Sequence, residues 1–512
     1  MPVLFEDNNQ WESWERPGRI GFAGFTLGFI VISGIGEALP TTNNSSSLSE
    51  SDINVTRKHN TIEKNSLLSA CLEGDLLKVY SLIERGADIN TTDEDGDTSL
   101  LLSCYYGHID IVNLLIDKGC DINKPDNNGV TPLMRACRGG HLPIIARLIG
   151  IGADINTTDE DGDTSLLLSC MNGNIDIVNL LIDKGCPIHK PNNAGMTPLM
   201  KACLYGNLPI VARLIEKGAD INTTNKDGDT PLSLSCDNGY IDIVNLLIDK
   251  GCDINKPGNA GMTPLMKACD EEHLPIVAPL IERGADINTT DEDGDTPLSF
   301  SCINGNIDIV NLLIDNGCDI NKPGNDGMTP LMKACRRGHL PIVARLIEIG
   351  ADINTTNKDG NTPLSLSCMN GNIDIVNLLI DKGCAIHKPD NDGMTPLMKA
   401  CLNKHLPIVT RLIEKGADIN TSDKNGETAL SLASTGGNND IVNLLLDKVS
   451  DELKSNVDRK PQLTKGTENE DMVIEKGLDI QTQELNVAGM LQILAYLNYF
   501  KILIQTAVLI LL

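Results

Sequence analysis

Cysteine has the widest range of chemistry in this sequence, since its thiol can form disulfides, bind zinc or act as a nucleophile. The 512 residues include 16 cysteines, and no two are spaced as Cys-x-x-Cys, so the usual spacing of a tetrahedral zinc site is absent. All of them fall at two fixed positions of a repeated unit, one of which recurs every 33 residues and the other every 66. The first set is Cys71, Cys104, Cys137, Cys170, Cys203, Cys236, Cys269, Cys302, Cys335, Cys368 and Cys401, and the second is Cys120, Cys186, Cys252, Cys318 and Cys384.

Acidic runs suggest a second chemistry, because clustered carboxylates can bind calcium. Three such runs occur, at Asp93–Asp97, Asp159–Asp163 and Asp291–Asp295. An EF-hand loop needs glycine at its sixth position and a bidentate glutamate at its twelfth, and neither is present here. We therefore interpret the runs as solvated acidic loops and predict no metal site.

The histidines do not form a catalytic set. Five of the eight occupy one turn position of the repeat, and two others replace an asparagine of the remaining copies. The five are His108, His141, His273, His339 and His405, and the two are His189 and His387. The sequence also lacks a Gly-x-Ser-x-Gly elbow, a His-Glu-x-x-His helix and a Gly-x-x-x-x-Gly-Lys phosphate loop. It predicts a protein that is not an enzyme, with no catalytic residues and no cofactor.

The overall charge limits the class of partner. With 70 acidic and 42 basic residues the net charge is -28, and aromatic residues make up only 3% of the chain. Proteins bind nucleic acid through basic side chains that neutralise phosphates and through aromatic rings that stack on bases. We therefore expect no nucleic acid partner.

The elements that position these residues follow from a strict repeat. Glycine recurs every 33 residues from Gly96 to Gly426, and the segment between two such glycines has signals for two helices. In the second full copy Thr131 is suited to cap the first helix, Gly140 allows a turn, and Pro143 is suited to open the second helix. The polar segment that follows each second helix predicts a projecting loop, which we call the finger.

Two short helices cannot bury their apolar faces alone, so the copies must stack on one another. Neighbouring helices lie about 8–10 Å apart, which is too far for a disulfide between equivalent cysteines of adjacent copies. We therefore expect the cysteines to be reduced and to act as small buried residues.

The unit resembles the ankyrin repeat. In residues 128–156 it has the Thr-Pro-Leu opening, the Gly-His corner and the Gly-Ala-Asp-Ile-Asn exit of that family. The resemblance covers residues 62–453 and implies an all-α ankyrin-repeat solenoid of about twelve helix-turn-helix units with β-turn fingers. The atypical first copy, 65–90, and the polar end of the twelfth are interpreted as caps. One departure is the histidine after Thr-Pro-Leu, replaced here by Met, Ser or Leu, which puts local hydrogen bonds in question rather than the fold.

Alternate copies differ, so a 66-residue period overlies the 33-residue one. One type contains Ser-Cys in its first helix, as in residues 165–170, and the other contains Thr-Pro-Leu-Met-Lys-Ala-Cys, as in residues 197–203. The fingers alternate as well. Duplication of a two-repeat cassette explains this pattern, and alternating chemistry along the fingers is the other interpretation.

Near-identical copies differ at the two residues after each cysteine of the first helix. In the family these positions face the concave groove that binds partners, so the resemblance implies that they are the binding residues. Drift at a solvent-facing position would give the same variation. The candidate residues are Tyr105, Tyr106, Arg138, Met171, Tyr205, Asp237, Arg336, Arg337 and Met369.

The two ends of the chain have a different composition. Residues 1–61 contain the uncharged segment Ile20–Gly36 and a Ser/Asn-rich run at 41–51 that predicts a flexible linker. Residues 454–512 contain a repeat-like linker and the apolar tail Val487–Leu512. Either apolar segment is long enough to be considered for membrane contact. The other interpretations are a buried helix, disorder, or sequence outside the true reading frame.

These observations predict a non-catalytic, intracellular and cytoplasmic scaffold or adaptor that binds other proteins through the concave groove and the fingers. Two alternatives remain open at this point. One is an ankyrin linker attached to a membrane by its tail. The other is the recognition arm of an enzyme complex, such as a ubiquitin ligase, whose catalytic part acts in trans.

Overall fold

The computed structural model describes residues 67–458, with side chains from 67 to 452. These residues form twenty-four α-helices in twelve pairs, and no β-strand is assigned among them. The predicted all-α solenoid of about twelve repeats is therefore confirmed. We number the repeats 1 to 12 and the helices α1 to α24, so that each repeat contributes one odd-numbered and one even-numbered helix.

The first helices of the repeats are short, with seven or eight residues each. They are α1 Leu67–Glu73, α3 Ser99–Tyr106, α5 Pro132–Gly139, α7 Ser165–Asn172, α9 Pro198–Leu204, α11 Pro231–Asp237, α13 Pro264–Asp270, α15 Pro297–Asn304, α17 Pro330–Arg337, α19 Pro363–Asn370, α21 Pro396–Leu402 and α23 Ala429–Thr435.

The second helices have nine residues in repeats 1 to 11 and twenty in repeat 12. They are α2 Leu76–Glu84, α4 Ile109–Asp117, α6 Leu142–Gly150, α8 Ile175–Asp183, α10 Leu208–Glu216, α12 Ile241–Asp249, α14 Leu274–Glu282, α16 Ile307–Asp315, α18 Leu340–Glu348, α20 Ile373–Asp381, α22 Leu406–Glu414 and α24 Asn439–Asp458.

Threonine caps the first helices as predicted. In α5, Thr131 Oγ1 accepts a hydrogen bond from Met134 N at 3.3 Å, and Thr131 N lies 3.4 Å from Met134 Sδ in return. In α11 the returned hydrogen bond runs from Thr230 N to Ser233 Oγ at 2.8 Å. The methionine and serine that replace the family histidine therefore still complete the cap.

The corner after the first helix requires a left-handed backbone. Gly140 ends α5 at φ 76°, a conformation that glycine adopts without strain. Glu272 and Lys404 occupy the same corner in repeats 7 and 11, at φ 60° and 64°. A side chain at this φ is strained, so these two corners cost stability that the glycine corners do not.

The repeats stack through both helices and share one continuous core. Ile144, Ile145 and Leu148 of α6 are buried in it, as the apolar stripe of this helix predicts. Consecutive first helices approach each other more closely than consecutive second helices do. The first helices therefore lie on the shorter side of the stack.

Neighbouring fingers are joined by backbone hydrogen bonds. Asn127 N donates to Asp95 O at 3.0 Å, and Glu160 N donates to Asn128 O at 2.9 Å. The fingers therefore form a linked edge rather than independent loops.

The predictions for the two ends concern residues that lie outside the described part of the chain. These are the apolar segments Ile20–Gly36 and Val487–Leu512, the linker before the array and the repeat-like segment after it. Within the described part, none of the helices combines the length and the apolar character needed to cross a membrane.

Candidate interaction surface

The predicted binding residues lie at the ends of the first helices. We call this set of positions, the two residues after each first-helix cysteine in repeats 2 to 11, the variable edge. Tyr205, Arg336 and Arg337 are exposed, whereas Tyr105, Tyr106, Arg138, Met171, Asp237 and Met369 are half-buried. The structure thus places all nine side chains on one edge of the array, although they are not equally accessible.

Two tyrosines form an aromatic cluster at the start of this edge. The rings of Tyr105 and Tyr106 meet edge to face with their centroids 5.1 Å apart, and Tyr106 stacks on His108 at 6.2 Å. The guanidinium of Arg135 lies 5.9 Å from the Tyr105 ring. Each ring therefore has contacts inside the protein and presents only part of its surface to solvent.

Asp237 also has a partner inside the protein. Its carboxylate lies 3.3 Å from Lys267 Nζ of the next repeat, and its carbonyl oxygen accepts a hydrogen bond from His273 Nε2 at 3.2 Å. This residue joins two repeats, so the structure gives it a stabilising contact in addition to its place on the surface.

Arg336 and Arg337 differ from Asp237 because both side chains are exposed. They occupy the last turn of α17, and neither forms an ion pair with another side chain of residues 67–452. The carbonyl oxygen of Arg336 accepts a hydrogen bond from Asn370 Nδ2 of the next repeat, which holds the backbone. The result is a positively charged site on a strongly acidic protein.

Buried ion pairs were not anticipated from the sequence. Arg135 of repeat 3 lies 3.0 Å from Asp97, just before α3 of repeat 2, and 2.7 Å from Asp126, in the finger just before α5. Lys333 of repeat 9 lies 2.8 Å from Asp295 of repeat 8. The sequence signal for these ion pairs is an acidic residue directly before the capping threonine of one repeat and a basic residue 38 positions later, in the next repeat.

Related contacts occur at the other interfaces between an even-numbered repeat and the odd-numbered repeat that follows it. Lys267 lies 3.0 Å from Asp229, and Lys399 lies 2.6 Å from Asp390 and also donates to Asn361. The exception is repeat 5, where Asn192 Nδ2 donates to Asp163 at 2.7 Å. Each even-numbered repeat from 2 to 10 therefore presents a buried acceptor to the odd-numbered repeat that follows it.

Where an odd-numbered repeat is followed by an even-numbered one, the equivalent positions carry apolar side chains. Met196 and Met200 of repeat 5 pack against Leu234 of repeat 6, and Met328 and Met332 of repeat 9 pack against Leu366 of repeat 10. The 66-residue period thus corresponds to interfaces that alternate between polar and apolar contacts, in addition to fingers that alternate in sequence. The polar contact includes an ion pair between repeats at three of the five interfaces of the first kind.

All sixteen cysteines are free thiols, and fourteen of them are buried. Burial raises the pKa of the second set to about 11, as for Cys120 and Cys252. Burial also raises the pKa of Cys137 to about 12, while a hydrogen bond with Ser169 opposes the shift. Thiols held in the protonated form are poor nucleophiles, so these residues serve packing, as predicted.

The acidic runs use their carboxylates to close the fingers. Asp159 Oδ1 accepts a hydrogen bond from Asp163 N at 2.7 Å, and the equivalent Asp291 Oδ1 accepts from Asp295 N at 2.7 Å. Burial raises the pKa of Asp159 to about 6. Among the described residues, no group of three or more His, Cys, Asp and Glu side chains is arranged to hold a metal ion.

Comparison with known proteins agrees with this geometry. The family model described as ankyrin repeats in three copies matches residues 67–159, 139–225, 214–291, 284–357, 345–423 and 364–460. A comparison with curated proteins found no match. Since the family matches extend without a gap from residue 67 to 460, more than half of the chain, this protein belongs to the ankyrin-repeat family.

Proposed function

We propose that this array is a non-catalytic scaffold or adaptor that binds other proteins along the variable edge and the fingers. Ankyrin repeats generally mediate protein–protein interactions. The observation that supports the specific proposal is the exposed pair Arg336 and Arg337, which has no ion-pair partner among the described side chains. Arginine is enriched at the residues that dominate binding energy in protein interfaces.

The side chains with catalytic potential have other roles in the described residues. His141 Nε2 donates to Tyr105 O at 2.9 Å and His339 Nε2 donates to Ile303 O at 2.9 Å, so each histidine joins its repeat to the one before. The thiols are buried with raised pKa values. These roles support binding rather than catalysis as the function of the array.

Proximity labelling by the full-length chain tests the proposal. We expect the variant Arg336→Glu/Arg337→Glu to lose a defined set of labelled proteins. The matched control is Lys184→Glu/Lys382→Glu, which makes the same change in charge at exposed ends of second helices. An unchanged set with the arginine variant would contradict the assignment of these arginines as binding residues.

We also propose that the array works in a reducing, intracellular compartment, most simply the cytoplasm. Sixteen unpaired thiols support this placement, because oxidising compartments favour disulfides. Cell fractionation tests the compartment, and carbonate extraction of the membrane fraction tests attachment to a membrane. Release of the full-length protein into the supernatant is expected, and its retention in the pellet would favour the membrane-attached alternative.

A further inference from the structure

A third period is present on the variable edge. The first residue of each edge pair is arginine in repeats 3 and 9, methionine in repeats 4 and 10, and leucine in repeats 5 and 11, and in repeats 2 to 11 these residues occur nowhere else at this position. We call Arg138, Met171 and Leu204 the N-terminal triplet, and the residues 198 positions later, Arg336, Met369 and Leu402, the C-terminal triplet. The edge thus displays the same chemical order twice, six repeats apart.

The backbone is held in the same way at both triplets. Asn172 Nδ2 donates to Arg138 O at 3.1 Å, and Asn370 Nδ2 donates to Arg336 O. In both cases the asparagine belongs to the repeat that supplies the methionine. The two arginines are therefore presented by equivalent contacts between repeats.

The two triplets differ in accessibility and in the charge near the arginine. Leu402 is 48% exposed, whereas Leu204 is half-buried. Burial raises the pKa of Asp159, and the positive charge of Arg138 partly opposes that shift, so the two residues interact. At the equivalent position of the C-terminal triplet the finger carries Asn357, which is uncharged.

We propose that the two triplets are docking surfaces for a partner that presents the same acidic and apolar segment twice. This inference rests on the proposed function and specifies its partner. The guanidinium of Arg138 or Arg336 would bind a carboxylate, and the methionine and leucine of the next two repeats would contact apolar side chains. Because Arg336 lacks the neighbouring aspartate and Leu402 is more exposed, the C-terminal triplet binds the segment more tightly.

The spacing of the repeats defines the segment. Adjacent repeats lie about 8–10 Å apart, which equals about three residues of an extended chain. The segment therefore has an acidic residue followed by apolar residues at the third and sixth positions after it. Six repeats place the two surfaces about 50–60 Å apart, so a partner that engages both must span this distance.

A synthetic peptide of the sequence Glu-Ser-Ser-Leu-Ser-Ser-Leu serves as the single probe. The tandem probe has two copies joined by about 11 prolines, which span about 34 Å as a polyproline helix and, with about 23 Å for one extended segment, place the two glutamates about 57 Å apart. Its matched control has about two prolines, which place the glutamates about 29 Å apart. Titration calorimetry with the full-length chain measures affinity and stoichiometry. Variants Arg138→Glu and Arg336→Glu remove one surface each, and circular dichroism checks that both are folded.

We expect two single probes per chain, and a gain of about 100-fold or more in affinity for the long tandem probe. The short tandem probe and either arginine variant lose that gain, and Arg336→Glu weakens the single probe more than Arg138→Glu does. Two substitutions test the difference between the surfaces. Asn357→Asp should weaken binding of the single probe to the C-terminal triplet, and Asp159→Asn should strengthen its binding to the N-terminal triplet.

Three results would overturn the inference. One binding site per chain, or equal affinities of the single and long tandem probes, would contradict two equivalent surfaces and leave a scaffold with one surface intact. Failure of the single probe to bind would refute the acidic and apolar chemistry assigned to the partner. The proposed function itself is decided separately, by the proximity labelling described above.

Discussion

Arg135 of repeat 3 and Asp97 of repeat 2 form an ion pair inside the interface between their repeats, 3.0 Å apart, with side chains only 8% and 2% exposed. Lys333 and Asp295 form the equivalent pair between repeats 8 and 9. A buried charge is costly unless it is paired. These contacts therefore make the stability of a repeat depend on which type of repeat precedes it.

The first prediction concerns the number of acidic partners. Among the described side chains Lys333 has only Asp295 as an ion-pair partner, because Gly324 occupies the position that is acidic in repeats 3 and 11. We expect Asp295→Asn to reduce the free energy of unfolding by about 3–5 kcal/mol, since it leaves the lysine buried without a counter-charge. Urea unfolding followed by circular dichroism measures this loss.

Asp97→Asn is the matched control for that variant. Arg135 keeps Asp126 at 2.7 Å when Asp97 is neutralised, so a loss of about 1 kcal/mol is expected. Equal losses in the two variants would show that the second carboxylate does not compensate.

The second prediction concerns the order of the repeats. Deletion of residues 284–316 removes one repeat length and places Lys333 opposite Met262 instead of Asp295. Deletion of residues 284–349 removes two and keeps the alternation of polar and apolar interfaces. We expect the chain with the longer deletion to unfold at the higher urea concentration, although it has one repeat fewer.

If all repeats and interfaces contributed equally to stability, the chain with the shorter deletion would unfold at the higher urea concentration, because stability in such arrays grows with the number of interfaces. A higher urea midpoint for the shorter deletion would therefore contradict the alternation. A third chain with Lys333→Met added to the shorter deletion identifies the cause, since it should recover much of the lost stability.

The third prediction concerns the two strained corners. Glu272 and Lys404 have φ values of 60° and 64°, where other repeats have glycine. We expect Glu272→Gly and Lys404→Gly each to stabilise the array by about 1 kcal/mol, because the left-handed conformation carries a penalty of about 1–2 kcal/mol for a residue with a side chain. The reverse change Gly338→Lys should lower the urea midpoint.

The fourth prediction concerns pH. Folding raises the pKa of Cys120, Cys252 and Cys318 from about 9.0 to about 11, because burial disfavours the thiolate. Between these values the unfolded chain has released the thiol protons and the native chain has kept them. Stability should therefore be unaffected by these thiols below pH 9 and should fall as the pH rises from about 9 to 11.

Urea midpoints measured at one-unit intervals from pH 7 to 11 test this dependence. Replacement of the cysteines of the second set, which lie just after the second helices, by alanine should reduce the fall. An identical pH profile for the alanine variant would show that other groups, such as tyrosines or lysines, control the alkaline transition.

The positions of the helices were predictable because their signals are local. Thr131 and Pro132 are adjacent and begin α5, and Gly140 ends it in a left-handed conformation. The same signals recur in most repeats, so the sequence alone determines the number of units and the family. It also determines that Arg336 and Arg337 lie at the end of a first helix, because they follow the cysteine at a fixed distance.

Contacts between repeats were decided by the tertiary structure. Arg135 and Asp97 are 38 residues apart, and their pairing depends on how one repeat stacks on the next. For the same reason Asp237, which the sequence predicts only as a surface residue, joins two repeats through Lys267. Local sequence determines helix limits because the forces that set them act within one turn, whereas the pairing of buried charges depends on packing between distant segments.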